Sequence, residues 1–163
     1  MTDLLCWSGD RRFGLQVKDP FVKRMLDECG KAYPEETGGI LIGYYTPEHD
    51  CAVVTELSGP PDDSVQRMRV FHRGIQGLQV WVNALWRKKR HFYIGEWHFH
   101  PGGPPLPSGD DSAQMEELSA DRKLRCPEPI LLIIGGDPKA DWTAAGFVYP
   151  IGNGRVPLQR DVS

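Results

Sequence analysis

Two histidines, His98 and His100, stand one residue apart at the start of the segment HFHPGGPPLPSGDD. On a β-strand, side chains at positions i and i+2 point to the same face, so the two imidazoles would project together. Paired histidine nitrogens are typical ligands of a single Zn²⁺ ion. The pair by itself is weak support for a metal site, because aligned histidines also occur as packed or partly exposed residues.

The residues that follow the histidines strengthen the metal hypothesis. Ser108 is suited to begin a helix, and Asp111, three residues later, lies on the same side of its first turn. His98, His100 and Asp111 would supply two nitrogens and one carboxylate oxygen, leaving a fourth position for water as in catalytic zinc sites. Asp110 is the competing carboxylate. Neighbouring helical residues point about 100° apart, so only one aspartate shares the face of Ser108, which favours Asp111.

Hydrolysis at such a site also needs a group that accepts a proton from the attacking water, and two glutamates are candidates. Glu96 has the same strand parity as His98 and His100, yet a residue on the ligand strand itself is more naturally one that orients a ligand or faces another layer. Glu36 precedes a glycine-rich start of an apolar strand and could approach the metal from a neighbouring strand end. The residue types alone leave both glutamates open.

The elements that must position these residues follow from hydrophobic periodicity and turn signals. Strands and helices interleave without an internal repeat, which predicts a mixed α/β fold with one sheet and helices packed against it. The segment 59–73 is predicted to be an exposed loop with a short strand near 69–71, and contact with a substrate is the alternative for 61–73. The predicted strands are 38–45, 52–57, 92–97, 129–134 and 142–149, and the predicted helices are 19–33, 75–90 and 112–122.

The composition limits the function classes. A chain of 163 residues with a net charge of −3 is expected to form one domain and not to bind nucleic acid as its main partner. The basic run at 87–90 is interpreted as a solvated helix end. Membrane attachment is not expected, since no apolar run reaches the roughly 18 residues that a span requires. Four widely spaced cysteines indicate reduced thiols and a cytoplasmic location.

Taken together, His98-x-His100, seven residues and Ser108-x-x-Asp111 resemble the JAMM signature of the JAB/MPN metalloprotease family. The upstream segment ETGGILIG at 36–43 is similar to that family's glutamate motif. The resemblance implies a JAB/MPN metalloprotease domain over 1–150, followed by a C-terminal tail at 151–163. Phe99 departs from the pattern, because most relatives carry Ser or Thr between the histidines. By alternation Phe99 points away from the metal, so we expect altered packing and retained catalysis.

What the resemblance implies about the site is specific. It implies a single-domain, cytidine-deaminase-like α/β fold with a mixed β-sheet flanked by helices. One catalytic Zn²⁺ per chain would be bound by His98, His100 and Asp111. Glu36 would be the general acid/base, which decides the contest with Glu96, and Ser108 would donate a hydrogen bond to the oxyanion of the tetrahedral intermediate.

The resemblance also implies a reaction and partners. Similar bacterial proteins are deubiquitinase-like zinc isopeptidases of antiphage defence, from cyclase-based (CBASS) systems and ubiquitin-like conjugation operons. The expected substrate is therefore a ubiquitin-like protein or its conjugates, with E1- and E2-like enzymes or a nucleotide cyclase from the same operon as partners. Two alternatives remain open: a zinc hydrolase that removes a small adduct from a sulfur-carrier protein, and a non-catalytic MPN-type scaffold. The intact ligand set with Glu36 and Ser108 disfavours the scaffold.

Overall fold

A computed structural model describes residues 3–162 of the chain. Within that range the protein contains ten strands and three helices in an interleaved order. The elements are β1 (Leu4–Trp7), β2 (Gly14–Val17), α1 (Asp19–Ala32), β3 (Thr37–Tyr45), β4 (Cys51–Leu57), β5 (Val65–Arg67), β6 (Val70–His72), α2 (Leu78–Lys89), β7 (Phe92–Pro101), α3 (Gly109–Ala120), β8 (Ile130–Gly136), β9 (Trp142–Val148) and β10 (Val156–Arg160). In this part of the chain, no helix is long and apolar enough to cross a membrane.

Eight of the strands form one mixed sheet in the order β1-β10-β9-β8-β7-β3-β4-β2, which closes because β2 also pairs with β1. The pairs β7–β8 and β2–β4 are parallel, and the remaining neighbours are antiparallel. The predicted mixed sheet flanked by helices is confirmed. Its closure into a barrel was not predicted, because it depends on short terminal strands whose sequences carry little periodicity.

The helices pack on the two faces of this curved sheet. Val22, Met25 and Cys29 of α1 belong to a core that includes Leu41 and Leu132. Side chains at the alternate positions of the central strands point to the opposite face of the sheet. They form two further clusters, one packed against α2 and one packed against α3. The central strands β3, β7 and β8 are therefore covered on both sides, which fixes the strand that carries the histidines.

The structure differs from the predicted elements in several regions. Residues 151–163 are not simply a loose tail, because β10 lies within them and pairs with both β9 and β1. The segment 59–73 contains a two-stranded hairpin, β5–β6, where only one short strand was expected. The helix predicted at 112–122 begins at Gly109, because Ser108 caps it. Strand β7 extends to Pro101, since its parallel ladder with β8 continues past both histidines.

Candidate metal centre and active site

Strand β7 and the first turn of α3 bring His98, His100 and Asp111 together. His98 Nδ1 lies 3.0 Å from Asp111 Oδ1, and His100 Nε2 lies 3.2 Å from Asp111 Oδ2. The three donor atoms all lie within 4.8 Å of one another. His98 and Asp111 are buried and His100 is partly buried, so the group lies below the molecular surface. This is the set that the sequence predicted, brought together across the loop 102–107.

A capping box at the start of α3 holds Asp111 in place. The backbone N–H of Asp111 donates to Ser108 Oγ at 3.1 Å, and the backbone N–H of Ser108 donates to Asp111 Oδ2 at 2.8 Å. These reciprocal bonds satisfy two of the free N–H groups at the helix N-terminus. The same bonds orient the Asp111 carboxylate towards the histidines. Asp110 is exposed and is not part of the group, in keeping with the choice of Asp111 from helical geometry.

Electrostatics in the group favour a charged Asp111. Burial alone would raise the pKa of Asp111, but hydrogen bonds from His100, His98 and the Ser108 backbone together hold it far below its ordinary value. Burial alone would lower the pKa of His100, yet the hydrogen bond and charge of Asp111, with the charge of Glu36, outweigh burial and raise it. The carboxylate therefore stays ionised across the physiological range, as a metal ligand must.

The donor set fits a bound metal ion. His98 Nε2 is a buried polar atom without a hydrogen-bond partner in residues 3–162, which is unusual for a folded protein. Two imidazoles and one carboxylate are ligands that Zn²⁺ accepts, and three protein ligands leave a coordination position for water or substrate. Hard cations such as Mg²⁺ and Ca²⁺ prefer all-oxygen sites, so this mixed set favours a transition metal.

Glu36 is brought to the centre by the register of two antiparallel strands. Gly38 of β3 is paired with His98 of β7, and Thr37 is paired with Phe99, so Glu36 directly precedes the end of β3 that lies beside the histidine strand. Its side chain is half-buried. Burial raises the pKa of Glu36, the charge of His100 opposes this rise, and the charge of Asp111 adds to it. The charge of Glu36 therefore interacts with all three members of the group.

A glycine allows the close approach of β3 to the ligand strand. A Cβ atom on Gly38 would overlap the backbone carbonyl of Trp97 and would lie 2.8 Å from the ring of Phe71 and 3.0 Å from the ring of His98. Only glycine lets the strand that follows Glu36 lie this near to the histidine. Close packing at the site itself therefore requires Gly38, the first glycine of the pair in the sequence.

Glu96 lies on the same strand face as the histidines, as alternation predicted, but its carboxylate has other partners. Arg73 Nε donates to Glu96 Oε1, and the hydroxyl of Tyr93 donates to Glu96 Oε2 at 2.5 Å. Glu96 is fully buried, with 0% of its surface exposed. The Glu96 carboxylate is thus engaged by Arg73 and Tyr93, whereas Glu36 interacts electrostatically with the three candidate ligands.

The β5–β6 hairpin supplies residues near the centre that the sequence did not single out. The ring of Phe71 packs edge-on against His98 with their centroids 5.3 Å apart. Gln66 Nε2 donates to Thr37 Oγ1 at 2.7 Å, and the backbone N–H of Glu36 donates to the Arg67 carbonyl at 2.7 Å. Two β-rich triplets, VQR and VFH, on either side of Met-Arg were the available signal for this hairpin.

The fold and the group of two histidines and one aspartate define a candidate metal-binding α/β domain. The chain belongs to the family described as prokaryotic homologs of the JAB domain, which matches residues 18–145. It is 39% identical over 147 residues to a CD-NTase/cGAS isopeptidase of Enterobacter hormaechei subsp. hoffmannii (strain UCI 50), covering 90% of this chain and 81% of that protein.

Two more distant comparisons agree with this assignment. A probable metalloprotease, y4qB of Sinorhizobium fredii (strain NBRC 101917 / NGR234), is 24% identical over 135 residues, which is 81% of each chain. The solution structure of protein DSY2949 from Desulfitobacterium hafniense superposes with a TM-score of 0.61 at 21% identity, covering 89% of this chain and 88% of that one. The second comparison concerns the fold alone.

Proposed function

We propose that this protein is a zinc-dependent isopeptidase of bacterial antiphage defence. Its deubiquitinase-like reaction would hydrolyse the bond after the C-terminus of a ubiquitin-like or similarly conjugated protein. The relatives named CD-NTase/cGAS isopeptidase support a CD-NTase as the conjugated protein. The observation that carries the proposal is the His-His-Asp group, with Glu36 interacting electrostatically with all three of its members.

His98, His100 and Asp111 would hold one Zn²⁺ ion. When bound, such an ion acts as a Lewis acid that polarises a carbonyl and lowers the pKa of a coordinated water. Glu36 accepts the proton of the attacking water, because its half-buried carboxylate lies beside the ligand group. Glu36 then returns this proton to the lysine amine as the carbon–nitrogen bond breaks. The oxygen of the attacking water stays on the carbonyl carbon in place of the amine.

Ser108 is suited to stabilise the oxyanion that forms during the reaction. Its Oγ accepts a hydrogen bond from the Asp111 backbone N–H, so the hydroxyl hydrogen remains available to a second acceptor. Its position at the N-terminus of α3 also favours negative charge through the helix dipole. The capping box holds the Ser108 backbone in place before substrate arrives, which is the preorganisation that such stabilisation requires.

The direct test is the turnover of Glu36→Gln. The substrate is the CD-NTase encoded in the same operon, carrying a fluorescent protein fused after its C-terminus, incubated with zinc-loaded enzyme. We expect turnover to fall by about 10²–10⁴-fold, because the proton acceptor is lost, while the zinc content stays at one per chain. Glu35→Gln is the matched control, since Glu35 is the exposed neighbour and should keep full activity. Undiminished turnover by Glu36→Gln would overturn the proposal.

A further inference from the structure

A groove of about 790 Å³ lies on the outer side of the sheet, between α2 and the segment that follows α3. We call it the α2 groove, and none of the three candidate metal ligands lines it. Its lining residues are Ile40, Arg73, Ile75, Leu78, Gln79, Val82, Asn83, Trp86, Phe92, Tyr93, Asp121, Lys123, Leu124 and Arg125. A volume of this size is suited to receive side chains of a protein partner.

The floor and walls of the α2 groove are largely apolar. Ile40 and Tyr93 form its buried part, while Val82 and Phe92 are half-buried. Trp86, at the edge of the groove, is 47% exposed, so part of a large aromatic side chain stays accessible to a partner. Tryptophan anchors of this kind carry a large share of the binding energy in protein interfaces.

The rim of the α2 groove is basic. Lys123 and Arg125 are exposed lining residues, and the guanidinium of Arg90 lies over the Trp86 ring at 5.1 Å from its centroid. Within residues 3–162, none of these three cations forms an ion pair with a carboxylate. Among the described residues that line the groove, Asp121 is the only one that carries a carboxylate.

The fold creates this charge by joining two separate stretches of sequence. The basic run 87–90 ends α2, and the run 122–125 follows α3. Lys123 and Arg125 of the second run line the groove, and Arg90 of the first run lies over its lining residue Trp86, on a chain whose net charge is −3. Such a combination favours a partner with carboxylates around an apolar side chain.

The α2 groove also reaches the neighbourhood of the candidate active site. Arg73 lines the groove, and its guanidinium pairs with Glu96, two positions before His98 on β7. A protein seated in the groove would therefore lie beside the strand that carries the ligands.

We infer that the α2 groove docks an acidic, apolar-centred surface of the folded body of the protein substrate, whose C-terminal tail enters the active site. The inference rests on the proposed isopeptidase function and adds to it a second recognition surface. Nucleic acid fits less well, because a chain whose net charge is −3 disfavours a polyanionic phosphate backbone.

The test separates recognition of the body from recognition of the tail. One substrate is the full CD-NTase followed by a fluorescent protein, and the other carries only the last ten residues of the CD-NTase before the same fluorescent protein. The groove variant is Lys123→Glu/Arg125→Glu. The matched control is Lys18→Glu/Lys139→Glu, which makes the same change in net charge at exposed cations outside the groove.

We expect the groove variant to raise KM for the full substrate about tenfold at an unchanged kcat, because two charge contacts are reversed at a protein interface. KM for the tail-only substrate should stay at the wild-type value, and the control should match the wild type on both substrates. Trp86→Ser should raise the same KM by removing the apolar anchor. An equal rise on both substrates, or no rise on the full one, would overturn the inference.

Two further measurements test whether a second copy of this chain or a nucleic acid occupies the groove instead of the substrate. Light scattering of the wild type should give a monomer, whereas a dimer lost in the groove variant would mean that a second copy occupies the groove. A labelled twenty-nucleotide single strand should not bind, and binding lost in the groove variant would overturn the inference.

Failure of the proposed isopeptidase function would give a different result from failure of the docking inference. In that case the wild type cleaves neither substrate. Titration of labelled full CD-NTase against Glu36→Gln, with and without Lys123→Glu/Arg125→Glu, then still reports on docking. Weaker binding in the groove variant supports the inference, and equal binding contradicts it.

Discussion

Arg73 and Glu96 form an ion pair that joins the β5–β6 hairpin region to the strand carrying both histidines. The Glu96 side chain is 0% exposed and the Arg73 side chain is 11% exposed. The Tyr93 hydroxyl donates to the second carboxylate oxygen, and Arg73 Nη1 donates to the Gly74 carbonyl at 2.8 Å. A charge buried this deeply is stable only while its partner is present. The pair therefore holds the hairpin against β7, two positions before His98.

Replacing Arg73 by Met should lower the free energy of unfolding by about 3–5 kcal/mol, because Glu96 would remain buried without its partner. Urea unfolding followed by tryptophan fluorescence measures this change. Lys31→Met is the matched control, since the ion pair of Lys31 with Glu28 is mostly exposed and its loss should leave the unfolding free energy nearly unchanged.

The double variant Arg73→Met/Glu96→Gln should recover part of the lost stability, because no uncompensated charge remains. The Tyr93 hydroxyl can still donate to the glutamine amide oxygen. If the double variant is less stable than Arg73→Met alone, then the charge of Glu96 is not the cause of the destabilisation.

Metal removal should affect Asp111 and Asp110 variants differently. Zinc at about one hundred times its dissociation constant should stabilise the wild type by about 2.7 kcal/mol, visible as a higher Tm. Asp111→Asn should abolish most of this rise, since the carboxylate of the group is lost. Asp110→Asn should retain it, because Asp110 is exposed and outside the group. Scanning calorimetry with zinc and with chelator measures both, and equal behaviour of the two variants would contradict the assignment.

Two substitutions separate the helix cap that Ser108 forms from its proposed catalytic role. Ser108→Ala removes the helix cap and should cost about 1 kcal/mol of stability, whereas Ser108→Gly should cost only a few tenths of a kcal/mol. Both variants lack the hydroxyl, so both should lose about 10²–10³-fold in kcat. Thermal unfolding and steady-state kinetics on the same samples distinguish the roles. Full turnover in the glycine variant would show that the hydroxyl acts only as a cap.

The four thiols should be unreactive in the native protein. All are buried, and burial raises the pKa of Cys6 and Cys51 to about 11 and that of Cys126 to about 12, with Cys29 shifted in the same direction. Since the thiolate is the reactive form, at pH 8 a disulfide reagent such as DTNB should label fewer than one thiol in minutes. In 6 M guanidinium it should label all four. Rapid labelling of the native protein would contradict this burial.

Local spacing predicted the ligand set because each relation acts over a few residues. His98 and His100 share a strand face by alternation, and Ser108 and Asp111 share the first turn of a helix. The helix start was harder to predict, since the acidic residues after Gly109 have no clear apolar period, and the interval 112–122 missed the first turn. The interpretation of 151–163 as a tail missed β10 because a five-residue strand with mostly exposed positions has little hydrophobic signal.

The sequence by itself determined the types and local spacing of the candidate ligands, most of the central strands and helices, and the family resemblance that favoured Glu36. Tertiary structure decided the relations that join distant segments: the charge interactions of Glu36 with the candidate ligands, the pairing of Glu96 with Arg73, and the basic residues 123 and 125 beside the α2 groove. The physical reason is that strand register and helix packing depend on the sum of many contacts across the core. No local pattern of residues encodes that sum.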